Sequence, residues 1–155
     1  MLKANVFSDA CEYEDSDPTG YHSAALHLTK RLGGKGLAVK LFELPPGQSL
    51  CPYHYEYEEE WLVVLEGSVL LRTPEGEETL ERGAAVCFAT GPAGAHKVGN
   101  AGTQTARVMM FSSAREPAVA VYPDSDKIGV WPGEDRDKVM LRRKDGGVDY
   151  WDGES

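Results

Sequence analysis

Residues 45–67 read Pro45-Pro46-Gly47-Gln48-Ser49-Leu50-Cys51-Pro52-Tyr53-His54-Tyr55-Glu56-Tyr57-Glu58-Glu59-Glu60-Trp61-Leu62-Val63-Val64-Leu65-Glu66-Gly67. The stretch opens on a Pro-Pro-Gly turn and closes on a second turn, Glu66-Gly67. Between them, one imidazole and a cluster of carboxylates (His54, Glu56, Glu58, Glu59, Glu60) stand directly before an apolar strand, Trp61 to Leu65. Side chains on a strand alternate between its faces. His54, Glu56 and Glu60 share a parity, and Leu62 and Val64 continue it. Groups that ligate metals therefore converge on the face that carries apolar core residues.

Outward from this stretch the chain keeps a β rhythm. Leu37 to Leu44 precedes it as a strand. After it come Ser68 to Thr73, a return strand at Glu78 to Glu81, Ala84 to Ala89, His96 to Val98 and Thr103 to Phe111. Turns at Pro74 to Glu77, Arg82-Gly83, Thr90 to Ala95 and Gly99 to Gly102 separate them. Short strands at this spacing, with no helices between, predict an antiparallel sandwich or barrel. Residues 1–36 read as an arm with an acidic loop at 12–17, and SAALHLTKRL at 23–32 fits either a short helix or a strand. Beyond Ser112 the pattern fades into turns, with one short strand at Lys138 to Leu141 and closing aromatics at Tyr150-Trp151 that are expected to pack on the domain.

The chain has 155 residues, 41% of them hydrophobic, which fits one globular domain with a sizeable core. Its formal charge of -9 excludes a general nucleic-acid binder and an anionic membrane surface. No apolar run approaches the roughly 20 residues of a membrane span. The N-terminus lacks a signal-peptide core. The cysteines Cys11, Cys51 and Cys87 are widely spaced with no CxxC, as expected of reduced thiols in a cytoplasmic protein.

His96 supplies the second half of the site. It follows a Gly/Pro loop and opens a short strand, so a sheet that closes on itself brings it to His54. Two imidazoles and two carboxylates suit a first-row divalent ion, and oxygen-rich ligation favours Mn, Fe or Zn over Cu(I). The same residues also read as a surface histidine beside a solvated acidic face, and spacing by itself leaves both readings open.

A resemblance decides between them. Gly47, His54, Glu60 and Gly67, followed by Gly83, Pro92-Ala93-Gly94, His96 and Asn100, resemble the two motifs of the cupin family across residues 37–111. The spacers Gly47–His54 and Gly83–Pro92 run longer than the family pattern. The resemblance implies an all-β fold, a double-stranded β-helix or jelly-roll barrel. Its core would be residues 37–111, with an irregular N-terminal arm (1–36) and an irregular C-terminal extension (112–155) in a single domain. It also implies a divalent metal held by His54, Glu56, Glu60 and His96, with Mn, Fe or Zn ahead of Ni or Co. The departure is Glu56, which stands where the family has a second histidine. Carboxylate oxygen is harder and more anionic than imidazole, so as a ligand it would lower both the redox potential and the Lewis acidity of the ion. If Glu56 swings out, three ligands remain.

Other candidates read as structural. Cys51 and Cys87 are expected as small core residues rather than thiolate ligands. His22 and His27 lie outside both motifs. At least two of Tyr53, Tyr55 and Tyr57 are expected to pack on the sheet. Arg72 and Arg107 are candidates for an anionic substrate, with solvation as the default. Trp61 to Leu65 is apolar on both faces, and covering the outer one predicts a homodimer.

On this reading the protein binds a small oxygenated organic ligand at a metal inside the barrel, as a dioxygenase, isomerase, decarboxylase or lyase of the kinds the family contains. The alternative is a non-catalytic small-molecule-binding or sensor module. A metal-free sugar-nucleotide epimerase is disfavoured by the scarcity of basic residues near 45–67.

Overall fold

The computed structural model describes residues 1–14, 17–144 and 146–154. Among the described residues, thirteen strands form three antiparallel sheets. The largest has six strands, in the order β1 (Glu12–Tyr13), β2 (Ala24–His27), β3 (Leu37–Leu44), β10 (Ala106–Ser113), β5 (Glu60–Glu66) and β8 (Ala85–Phe88). Facing it, β6 (Ser68–Thr73) lies between β7 (Gly76–Glu81) and β9 (Lys97–Gly99). A four-stranded sheet runs from β13 (Val139–Arg142) through β12 (Lys127–Trp131) and β11 (Ala118–Tyr122) to β4 (Tyr55–Glu56). The architecture is the expected all-β jelly-roll barrel.

The core follows from strand alternation. On β5, Leu62 and Val64 point inward and are 0% and 1% exposed, whereas Trp61, just before them, turns out. They meet Leu44, Val108 and Met110 of the same sheet and Val69, Leu71, Leu80 and Val98 of the facing one. These apolar side chains fill one end of the barrel. The other end receives the polar residues that begin or precede the same strands, and the site forms there.

The arm and the extension carry more regular structure than expected. Residues 23–32 are strand and helix in succession: β2 passes directly into α1 (Leu28–Leu32). The arm extends the large sheet, and Arg107 clamps it. This guanidinium is 6% exposed, donates to the carbonyls of Val6 (2.7 Å) and Asp9, and pairs with Glu43. That corrects the expectation of a solvated Arg107, because an arginine on this face is covered by the arm it holds. Likewise the extension is a β-meander, β11-β12-β13, whose first strand pairs with β4 in the register Ala120–Glu56 and Val121–Tyr55. Cys87 is exposed on β8, not a core residue, because its parity places it beside Trp61 on the outer face. Tyr150 and Trp151 are 83% and 71% exposed and pack on each other rather than on the domain.

Candidate metal centre

His54 and His96 face each other across one antiparallel bridge. The N–H of His54 donates to the His96 carbonyl at 3.0 Å, and the N–H of His96 donates back at 2.8 Å. Residues that exchange both bonds carry their side chains on the same side of the pair. The rings accordingly lie 4.7 Å apart, centroid to centroid. His96 also stacks on Phe88 at 3.6 Å.

A backbone carbonyl then orients each ring. Nδ1 of His54 lies 3.0 Å from the Pro52 oxygen, and Nδ1 of His96 lies 2.9 Å from the Gly94 oxygen. A carbonyl only accepts, so this network assigns the proton to Nδ1 of both rings and leaves a lone pair on each Nε2. Gly94 is required for the second contact. A Cβ there would fall 1.8 Å from the Ala89 oxygen, so the Pro92–Gly94 turn could not close under His96. Asn100, 3% exposed, fixes the far end of the loop by donating from Nδ2 to the Leu44 and Gln104 carbonyls, both at 2.8 Å.

Glu60 opens β5 and places Oε2 3.3 Å from Nε2 of His96. Both atoms are buried and neither has a hydrogen-bond partner. A carboxylate oxygen facing an imidazole lone pair is repulsive unless a proton or cation lies between them. Among the described residues, His54, Glu60 and His96 form a group whose ligand atoms all lie within 4.8 Å of one another. Two nitrogens and one oxygen, neutral imidazoles with one carboxylate, fit a divalent first-row ion with open coordination positions. Burial lowers the His54 pKa and neighbouring His96 lowers it further, against the pull of Glu60. The ring is thereby kept in its neutral, ligating form.

Glu56 lies at the edge of this group. Its Oε1 is 3.7 Å from Nε2 of His54. Burial, then the charge of Glu60, pushes its carboxyl up to about 7, with His96 and Lys40 opposing. Glu56 also lines two cavities. The inner one, about 200 Å³, contains His54, Glu60 and Cys51 against Phe42, Leu50 and Met110. The outer one, about 480 Å³, lies against Trp131 and the start of the meander. Ala38, Lys40, Glu56 and Ser112 line both.

The remaining sequence candidates fall away from the donor atoms. Cys51 Sγ lies 3.5 Å from Nδ1 of His54, behind the ring, and burial followed by the charges of Glu60 and Glu56 pushes its thiol up to about 12. It stays protonated. Arg72 is anchored, with its guanidinium 2.6 Å from Asp124 and over the Tyr53 ring at 4.0 Å. Tyr55 is buried, Tyr57 is exposed against it, and His22 and His27 are exposed.

Two residues at the site carry no motif. Tyr122, at the end of β11, lies 5.8 Å from the His54 ring, and burial with the charges of Cys51 and Glu56 pushes its hydroxyl up to about 12. Ala118 to Tyr122 is apolar throughout, so no alternation marks its strand. Lys40 shares the inward parity of Phe42 and Leu44, and a lysine on a core-facing parity is the signal that marks it.

Comparison with known proteins agrees with this geometry. Residues 40–112 match the model of the cupin domain. The tetracenomycin polyketide synthase protein TcmJ of Streptomyces glaucescens is 32% identical over 98 residues, 63% of this chain and 64% of that protein, so the chain covers less than two thirds of its length. A crystal structure from Acidithiobacillus ferrooxidans, assigned as a sugar phosphate isomerase, superposes with a TM-score of 0.81 at 24% identity, covering 96% of this chain and 95% of the other. The polyketide cyclase RemF of Streptomyces resistomycificus follows at a TM-score of 0.61 and 23% identity, over 76% and 83% of the two chains. At these identities the two structures show a shared fold. No helix among the described residues is long and apolar enough to cross a membrane.

Proposed function

We propose that this chain, whose residues 40–112 match the cupin domain, is a metal-dependent cupin enzyme acting on a small oxygenated organic molecule inside the barrel. The observation that carries this reading is the facing pair of unpartnered buried acceptors, Glu60 Oε2 and His96 Nε2. His54, His96 and Glu60 would hold the ion, Mn, Fe or Zn ahead of Ni or Co. Bound there, it would supply Lewis acidity to a substrate carbonyl or hydroxyl.

The rest falls to the chain's own residues. Phe42, Leu50 and Met110 form the apolar side of the inner cavity, against which the body of a small molecule would lie. Glu56, outside the three-residue group and on the wall of both cavities, is placed to take a proton from the substrate and return it. A carboxyl raised towards neutrality suits that task. The relatives carry the names of an isomerase and a polyketide cyclase, and both names fit proton transfer without net oxidation. The proposed class is therefore isomerisation or cyclisation. A second copy is the proposed cover for the outer face around Trp61 and Phe111, whose rings stack at 6.0 Å.

Hydrogen–deuterium exchange tests the class. Metal-loaded protein in D₂O, given small hydroxyketones and 1,3-diketones, should wash deuterium into the position next to a carbonyl. Glu56→Gln should keep the metal and slow exchange by about 100-fold, the usual scale of a general base. Ligands that bind without any exchange would leave the non-catalytic binding module in place of the enzyme. Loss of metal in Glu56→Gln would make Glu56 a fourth ligand.

A further inference from the structure

Lys40 stands where three cavities meet. It lines the inner cavity beside His54 and Glu60, the outer cavity beside Trp131, and a third of about 390 Å³ bounded by the N-terminal arm at Glu14, Tyr21 and His27. Its place on β3 is fixed by register. Lys40 lies opposite Met110, which in turn lies opposite Leu62 on β5, so the lysine heads a row of inward-facing residues. Met110 and Leu62 are buried, whereas Lys40 at the end of the row is exposed to the cavities. Among the described residues its ammonium takes part in none of the ion pairs. The inner cavity thus joins an apolar wall, two of the three metal-type ligands (His54 and Glu60) and one uncommitted cation.

We propose that Lys40 is the recognition residue for a carboxylate on the substrate, and that the natural ligand is a small monoanionic acid with a second oxygen function and an apolar body. This rests on the metal reading of His54, Glu60 and His96. The second oxygen faces those three residues, the apolar body lies against Phe42, Leu50 and Met110, and the carboxylate meets the ammonium at the mouth. A monoanion is specified over a phosphate by charge. One ammonium beside the Glu56 carboxylate does not offset a dianion. Among the described residues that line the inner cavity, none offers the forked guanidinium that usually holds a phosphate. Arg72 and Arg107 are committed elsewhere, to Asp124 and to the N-terminal arm, and Arg115 and Lys138 line the outer cavity rather than the inner one.

Titration calorimetry on the zinc-loaded full chain tests this with three probes that share a phenyl ring: mandelate, its neutral amide mandelamide, and phenyl phosphate. Mandelate should bind about tenfold more tightly than mandelamide, the scale of one charge-assisted hydrogen bond. Lys40→Met should erase that difference while zinc stays at one per chain, and Lys40→Arg should retain most of it. Equal binding of acid and amide by the wild type, undetectable mandelate binding, a Lys40→Met variant that still prefers the acid, or tighter binding of phenyl phosphate than of mandelate each overturns the proposal. A wild-type chain that takes up no zinc removes the metal reading beneath it. A zinc-loaded chain indifferent to the carboxylate removes only the role of Lys40.

Discussion

The two walls of the site are built differently. The barrel wall carries His54, Glu60 and His96 on or beside strands whose other residues are core, such as Leu62 at 0% exposure and Val98 at 0%. The opposite wall is the C-terminal meander, whose outermost strand is exposed at Val139, Met140 and Leu141 by 41%, 46% and 46%. The meander joins the site through the β4–β11 pairing and the Arg72–Asp124 ion pair. Donor atoms that must hold an ion to within a few tenths of an ångström sit on the rigid wall. The wall that a substrate must pass is the loosely packed one.

The largest expected effect breaks the rigid wall. Leu62→Ala removes a fully buried side chain beneath Glu60 and should destabilise by about 2–5 kcal/mol. In the same measurement Leu141→Ala, on the exposed meander strand, should change stability by about 0.5 kcal/mol or less. Comparable losses in denaturant midpoints would show that the meander is as integral as the barrel. Asn100→Ala comes next. It strips the Leu44 and Gln104 carbonyls of their donor and should cost about 1–3 kcal/mol, with weakened metal uptake because the loop carrying His96 loosens. Unchanged metal affinity would uncouple the loop from the site.

The smallest effect concerns the latch between the walls. Asp124 is held below the usual carboxylate range, first by its hydrogen bond from Arg72. Its folded pKa is depressed, so the pair's contribution is present above the unfolded value of about 4 and is lost as pH falls through the lower folded value. Both groups are substantially exposed, which limits the contribution to about 1 kcal/mol or less. Arg72→Ala should therefore lower the melting temperature by about 2–4 °C at most at pH 7, with the gap closing as pH falls below the ordinary carboxylate value of about 4. A gap that persists at low pH would assign the effect to packing on Tyr53 rather than to charge.

The same contrast explains what could be read from the chain. On β5 and β10, burial of one face imposes alternation, so strands, parity and the inward set Glu60, Leu62 and Val64 were legible. His54 and His96 are joined through the resemblance to the two cupin motifs, since spacing by itself leaves a surface histidine equally open. The meander was not legible. Its strands are short and half-exposed, and Gly129 interrupts the apolar run of β12. There the Trp131 ring lies over the backbone where a Cβ would stand. Tyr122, before Pro123, read as a turn, and only pairing with β4, more than sixty residues back along the sequence, brings it to His54. Arg107 looked solvent-facing because its cover comes from Val6 and Asp9, about a hundred residues earlier. Motif position puts Glu56 among the ligands; its short strand and its pairing with β11 set its carboxylate 3.7 Å from Nε2 of His54, beside the three-residue group.

The central claim is that His54, Glu60 and His96 hold a transition metal, and elemental analysis of chain purified without chelator tests it most directly. The account predicts about one Mn, Fe or Zn per chain in the wild type and in Glu56→Gln, and loss of that metal in His96→Ala with the fold retained by circular dichroism. A wild-type chain that stays empty after incubation with Mn, Fe, Zn, Ni and Co, or a His96→Ala variant that binds as well as wild type, would contradict it.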